Sequence, residues 1–336
     1  MTVATVNQKP HLAPAPSNPS PSSVVAAELA AAEAKLLSLL ESHESLITEI
    51  CHYLVDGGGK RLRPLFMLLV YRACGGEDRT VDDAIDAAIA LELIHSATLL
   101  HDDIIDGGLV RRGRPSAFAR YGAMPTLVAG DYLFCRAFEL CGRFEEPLVR
   151  TAAQACLELT EGEMMEGRMR FSTTTTLDDY VAIITRKTAS LFAAAGKVAA
   201  SLTAAPGSVA EAMAGLGNAV GLAFQMVDDL LDILGTEDKI GKPVGSDLRS
   251  GIPALPLVLA MESAEVRGAL QNGSRLEGGT FDAILRVLRS PQIVARARSL
   301  AAEQVAIARG ILTTLRPSPY RDSLGTLIDE QVNREV

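Results

Sequence analysis

Two runs of aspartate stand out for their spacing: Asp102-Asp103-Ile-Ile-Asp106 and Asp228-Asp229-Leu-Leu-Asp232. On a helix, residues four apart share a face, so Asp102 projects with Asp106 and Asp228 with Asp232. In polar surroundings such runs are solvated acidic helix ends. Here the flanks are apolar: Leu99-Leu100 and Ile104-Ile105 in the first case, Met226-Val227 and Leu230-Leu231 in the second. Both runs also precede a helix-stopping glycine, Gly107 or Gly235. At that end of a helix the backbone dipole disfavours each carboxylate by roughly 0.3–1 kcal/mol. Mutually repelling carboxylates beside apolar neighbours need cations. An all-oxygen set without His or Cys favours a hard ion such as Mg²⁺, which takes few protein carboxylates and completes its shell with water and phosphate oxygens.

The basic residues cluster where the chain breaks. Gly57-Gly58-Gly59-Lys60-Arg61-Leu62-Arg63-Pro64 is a glycine loop with three cations, lacking the glycine spacing and terminal Ser/Thr of a Walker loop. Arg111-Arg112-Gly113-Arg114 follows the first acidic run, and adjacent arginines suit phosphate forks. Arg186-Lys187-Thr188 interrupts a segment otherwise made of Ala, Ile and Leu, and Lys239 and Lys242 follow the second run. An acidic chain that places cations beside its acidic clusters fits several Mg²⁺ gripping one diphosphate. His95, two turns before Asp102, reads by itself as a core histidine with a satisfied hydrogen bond, and Gln225 as a helix-packing amide. No Ser-His-Asp or Cys-His set is visible.

The elements that must position these residues are helical. Of the 336 residues 48% are hydrophobic, only 4% are aromatic and none is Trp, a mix that favours closely packed helices over sheet. Residues 1–23 form a Pro/Ala/Ser-rich tail expected to be disordered. Residues 24–336 read as one all-α domain of roughly ten or more helices, broken at Gly- and Pro-containing turns, with no alternating strand segments. One helix is expected to start at Thr80, with Asp83 as capping-box partner, and to stop at Gly107. Another starts at Ser208, with Glu211 as partner, and stops at Gly235. Both are apolar nearly all round, which predicts central helices. A net charge of −9 argues against nucleic acid or an anionic membrane as partner. Five cysteines without a C-x-x-C predict reduced thiols in a cytoplasmic protein. No uninterrupted apolar run reaches membrane length, so no membrane span is expected, although peripheral delivery of an apolar product stays open. No export signal is evident.

In this order the motifs resemble the trans-type (E-)isoprenyl diphosphate synthases. The similarity covers the chain from about Leu29 onward: Gly-Gly-Lys-Arg-Leu-Arg-Pro, Leu-Ile-His-Ser-Ala-Thr-Leu-Leu-His-Asp-Asp-Ile-Ile-Asp, Arg-Arg-Gly, Gly130-Asp131, Gly162-Glu163, Lys187-Thr188, Phe224-Gln225 before the second run, and Gly241 to Asp247. The resemblance implies an all-α helical bundle of the isoprenoid synthase type with a central cavity, acting as a homodimer. It implies that Asp102 and Asp106 ligate Mg²⁺ on the allylic diphosphate with Asp103 in support. Asp228, with Asp229 and Asp232, would hold a further ion, giving about two to three Mg²⁺ per site. Arg111, Lys187, Thr188, Gln225 and Lys242 would contact the allylic substrate, and Lys60, Arg63, His95 and Arg112 the isopentenyl diphosphate. The implied reaction ionises the allylic diphosphate, lets the isopentenyl double bond attack the cation, and loses a proton, with the departed diphosphate as base.

In this family the growing chain runs along the first cluster helix. Ala97 and Thr98, five and four positions before Asp102, and Leu93 one turn back, would then set product length. Bulky aromatics there are absent, which predicts a product longer than C20, with a geranylgeranyl product as the alternative. A terpene cyclase is the nearest enzymatic rival, but it needs no isopentenyl site and carries an Asn/Ser/Glu second motif. A non-catalytic subunit of a heteromeric synthase would be expected to lose one cluster, and both are intact.

Overall fold

A computed structural model of the chain describes residues 20–236, 243–271 and 278–332. Residues 1–19 of the expected tail, and Lys239 and Lys242, lie outside the described residues. The described residues begin with a turn at 20–22 and a 3₁₀ segment Ser23–Val25 whose Val25 is buried.

Helices α1 (Ala26–Leu39), α2 (Ser45–Asp56) and α3 (Leu62–Ala73) lead into α4 (Val81–Ile105). After a hairpin come α5 (Ala117–Tyr121), α6 (Ala123–Cys141), α7 (Glu146–Met169) and α8 (Leu177–Ile184). A π-helical segment, Thr185–Ala189, joins α8 to α9 (Ser190–Ser201), and α10 (Gly207–Leu234) follows. The chain closes with α11 (Ser246–Ser250), α12 (Leu255–Ala260), α13 (Ala264–Gln271), α14 (Gly278–Leu288), α15 (Pro291–Leu312) and α16 (Pro319–Val332). The all-α expectation holds.

As the all-round apolar patterns predict, α4 and α10 are central. Nearly every residue of α4 from Ala84 to Ile94 is buried, and α10 is buried along most of its length. By length and composition the segment Asp78–Ile105 would pass for a membrane span, but 78% of its apolar window is buried in the bundle, so it is a core helix. α4 packs on α6 and α3, and α10 on α9 and α15. The main core joins Leu36, Phe66, Leu69, Ile89, Leu133 and Phe192 from five helices. A second core, Tyr180, Leu222, Met226, Leu255 and Ala297, supports the lower half of α10.

Helix ends depart from the expected chemistry. At α4 the Thr80 hydroxyl meets the Tyr71 hydroxyl at 2.6 Å, and Asp83 pairs with Arg143 at 3.0 Å, so no capping box forms. α10 starts one residue early at Gly207, after Pro206, and Glu211 pairs with Lys197 at 2.6 Å instead of capping. The end of α4 does behave as expected. Gly107 adopts φ 60°, its N–H donates to Ile104, and the Gly108 N–H donates to Asp103 O at 2.9 Å, a Schellman stop that leaves Asp106 at the rim.

A short antiparallel hairpin, β1 (Val110–Arg111) with β2 (Arg114–Pro115), corrects the expectation of no strand. Its two-residue loop, Arg112-Gly113, has φ 53° and 75°, the positive pair that matches strand twist. The hairpin fixes Arg111 and Arg112 on a rigid element beside the end of α4. All five cysteines are unpaired, as expected.

Candidate active site

A cavity of about 500 Å³ opens between α4, α7, the π segment and α10. Thr98 and Asp102 of α4, Lys187 of the π segment, Asp228 of α10 and Asp247 of α11 line it, so both aspartate runs face one space. Arg63, His95, Arg111, Arg112, Thr188 and Gln225 share its walls. Asp103, Asp106, Asp232, Lys60, Ala97 and Leu93 are not among the wall residues.

Within the first run, each carboxylate has a different neighbourhood. Burial pushes the Asp102 carboxyl up to about 7, against the pull of Lys187 and Arg111. Asp103 is 2% exposed and takes both Nε and a terminal nitrogen of Arg111 at 2.8 Å. Its role is to aim that arginine into the cavity. Asp106, at the helix cap, is ion-paired with Arg170 at the end of α7.

The second run is divided in the same way. Asp228 faces the cavity. Asp229 accepts from the Tyr180 hydroxyl, the Leu255 N–H and the Gln225 amide, each at 2.8 Å, and burial raises its carboxyl to about 7. Asp232, 1% exposed, accepts from the Ser246 hydroxyl at 2.7 Å and the Asp247 N–H at 3.2 Å. It therefore fastens the start of α11, which brings Asp247 to the cavity. Asp228 and Asp229 both line the cavity, while Asp232 lies behind it, and Asp229 and Asp232 are also engaged with protein donors.

Lys187 sits where the helix widens by one residue, a π segment of the kind that marks functional sites. Its ammonium lies 2.7 Å from Glu163 and 2.6 Å from Glu166. Burial works against that ammonium, but Glu166, Glu163 and Asp102 hold its pKa above the ordinary lysine range. The bulge fits because Gly162 faces it: a Cβ there would lie 2.5 Å from the Lys187 backbone N and 2.9 Å from Arg186 Cβ. Gly162→Ala must push the π segment off α7. We expect a loss of about 1–3 kcal/mol, seen as a lowered Tm, with a larger fractional loss of activity because Lys187 shifts.

The far wall is arginine-rich. Burial lowers the Arg63 pKa to about 10, against the pull of Glu92, and its guanidinium lies 4.8 Å over the Phe192 ring. Burial, then the charges of Arg63, Arg111, Arg112 and Arg61, hold His95 well below the ordinary histidine range. His95 is therefore a neutral imidazole at pH 7, a hydrogen-bonding group and not a further cation. Glu92, one turn before it, is buried, and burial raises its carboxyl against Arg63, Arg61 and Arg112. Lys60 is exposed in the connection between α2 and α3. Sequence reasoning missed Glu92, Glu166, Arg170 and Tyr180 as site residues, and quoted Asp247 without giving it a role. Glu163 it quoted only within a motif.

The donor set fits hard cations. Among the described residues no three acidic, His or Cys side chains close on one point. Asp102 stands on one bank, with Asp106 one helical turn beyond it at the helix cap, and Asp228 and Asp247 stand on the other, all oxygen donors. Such banks suit Mg²⁺, which shares one or two carboxylates with ligand and water oxygens. Asp103 Oδ2, buried with no hydrogen-bond partner, adds negative charge to the first bank.

Fold and site together define an all-α isoprenoid synthase-type enzyme. The family model for polyprenyl synthetases matches residues 44–278. The chain is 34% identical over 306 residues to octaprenyl diphosphate synthase of Haemophilus influenzae, covering 89% of this chain and 92% of that one. It is 34% identical over 320 residues to nonaprenyl diphosphate synthase of Mycobacterium tuberculosis, covering 93% and 95%. A solved polyprenyl synthase from Caulobacter crescentus CB15, complexed with calcium and isoprenyl diphosphate, superposes with a TM-score of 0.88 at 30% identity, covering 94% and 97%. The chain belongs to the polyprenyl synthetase family and is a prenyltransferase.

Proposed function

We propose that this chain condenses isopentenyl diphosphate head-to-tail with an allylic prenyl diphosphate, in a Mg²⁺-dependent reaction, to give a trans-polyprenyl diphosphate longer than C20. The observation that carries the reading is that Asp102 and Asp228 face a single cavity whose other walls hold Lys187, Arg111, Arg112 and Arg63. Relatives named octaprenyl and nonaprenyl diphosphate synthase support the product class.

Asp102, Asp106 and Asp228 would hold the metal, with Asp247 as a fourth carboxylate. When bound, the metal supplies positive charge to the departing diphosphate. Lys187 and Arg111, held by Glu163, Glu166 and Asp103, present fixed cations to the same group, so little reorganisation is needed as charge develops. Thr188 donates to Gln225 Oε1 at 2.8 Å, and Gln225 donates to Asp229; this chain holds the allylic side of the wall in place. Leu99, Ile183, Leu191 and Phe224 line the same cavity and exclude water from an allylic cation. Arg63, Arg112 and neutral His95 form the wall for isopentenyl diphosphate. The allylic C–O bond breaks, the isopentenyl double bond forms the new C–C bond, and the released proton goes to the departed diphosphate. No protein nucleophile takes part.

A homodimer is part of the proposal. Met124, Leu127, Val128 and Phe138 on α6 and Leu157 and Met164 on α7 are large apolar side chains left exposed, as a subunit interface would need. Light scattering should give twice the chain mass.

One assay tests the function. The purified chain alone is incubated with Mg²⁺, farnesyl diphosphate and labelled isopentenyl diphosphate, and the dephosphorylated products are chromatographed. Elongated alcohols beyond C20 are expected. Hydrocarbons would make it a cyclase, no product a subunit that needs a partner, and a C20 alcohol alone a geranylgeranyl diphosphate synthase.

A further inference from the structure

Arg170 is absent from the motifs that define the site, yet it meets the first acidic run. It caps the end of α7 and ion-pairs with Asp106, the rim carboxylate of the first run. The arginine side chain is 21% exposed and that of Asp106 27%, so the pair is sheltered but not sealed from solvent. Arg170 Nε is buried with no hydrogen-bond partner, so this guanidinium is not fully satisfied where it lies.

The corner that holds it is fixed. Phe171 adopts φ 57°, a costly conformation for a residue with a side chain. Its N–H donates to Gly251 O at 2.9 Å, and its ring lies so close to Gly251 that a Cβ there would approach within 2.6 Å. Gly251 directly follows α11, which carries Asp247. The Arg170-Phe171 corner thus ties the first bank to the segment bearing the second.

Charge pairing then assigns each cation a partner. Lys187 is taken by Glu163 and Glu166, and Arg111 by Asp103. Among the described residues, Arg170 is the cation paired with Asp106. A guanidinium is weakly hydrated and monovalent, and it leaves a carboxylate more readily than a divalent ion does.

We propose that Arg170 is a resident counter-ion of Asp106, a positioning residue that Mg²⁺ must displace when it occupies the first aspartate cluster. The inference rests on the metal-diphosphate reading above. It follows that the bare chain binds divalent metal weakly, and that metal enters with the diphosphate, whose oxygens complete its shell.

The test uses the full chain stripped of metal. Mn²⁺ is titrated without diphosphate and free Mn²⁺ is counted by electron paramagnetic resonance. Arg170→Gln should bind Mn²⁺ about fivefold tighter than the parent, the share expected of a sheltered ion pair. Arg170→Lys, which keeps the charge, should stay within about twofold of the parent. Arg170→Met, which keeps the apolar stem, is a second uncharged variant in case the glutamine chain misfolds. In an Asp106→Asn background the effect of Arg170→Gln should vanish. A purely structural arginine would lower Tm in both uncharged variants and leave Mn²⁺ affinity unchanged or weaker, which overturns the proposal. A different result separates the two claims. If the parent neither elongates prenyl diphosphates nor binds Mn²⁺ even beside farnesyl thiodiphosphate, the metal-diphosphate reading fails and takes this one with it.

Discussion

Asp102→Asn is expected to lower kcat/KM by about a thousandfold, in line with removing one fixed charge-stabilising group from a water-poor site. The fold should survive, because the Asp102 side chain lines the cavity and its amide analogue has the same shape. Asp103→Asn should behave differently. It releases Arg111, so the loss is expected mainly in KM for the allylic substrate and in thermal stability. The pH dependence provides a second check. Burial raises the Asp102 carboxyl to about 7, so below that pH a proton competes with metal. Half-saturating Mg²⁺ should fall about tenfold between pH 6 and pH 8 and then level off. The stability sign is opposite for the metal-free chain. Asp102 and Asp229 both have folded pKa values raised above the unfolded value. Their contribution to folding is complete below about pH 4 and is lost as pH rises toward about 7. Calorimetry in chelator should therefore show Tm falling over that interval, and Mg²⁺ should restore more of it at pH 8 than at pH 6. A Tm that does not fall over that interval in chelator would put the burial argument aside.

Much of this site was legible because its chemistry is local. A D-D-x-x-D spacing within one helix turn, apolar flanks and a stopping glycine lie within a dozen residues, and the same periodicity places α4 and α10 in the core. What stayed hidden depends on long-range packing. Arg170 lies 64 residues from Asp106, and only the fold brings them together. Glu166 reaches Lys187 because Gly162 lets α7 approach the π segment. That segment, Thr-Arg-Lys-Thr-Ala, is too short and polar to carry a period of its own, so a periodicity count cannot tell it from α-helix. The hairpin was missed because two-residue strands give no alternation to read. The capping boxes failed for a related reason: Thr80 and Glu211 have the right spacing, but Tyr71 and Lys197 compete for them from other helices. Within each aspartate run, spacing gave the face but could not divide the work. Asp103, Asp229 and Asp232 each serve a protein partner, which is a property of the neighbours.

Thr98→Phe is expected to shorten the product by about two or more isoprene units, down to C20 or less, because close-packed walls do not yield to an added ring. Three side chains before Asp102 were candidates for this role. Leu93 and Ala97 are fully buried in the packed interior, while Thr98 lines the cavity. The expectation therefore narrows to Thr98. Its hydroxyl donates only to His95 O within the same helix, at 2.8 Å, so its loss costs little. A phenyl ring at 98 would fill open volume beside Leu99 and Leu191, where an elongating chain would lie. Ala97→Phe, by contrast, overpacks the core. It should cost about 1–3 kcal/mol and lower Tm, with product length changing only as far as α4 is displaced. Chromatography of dephosphorylated products from the two variants and the parent compares them directly. If Thr98→Phe retains the full product ladder at an unchanged rate, α4 does not measure the chain. If Ala97→Phe shortens it and Thr98→Phe does not, the growing end passes behind α4, through space that opens only when substrate is bound.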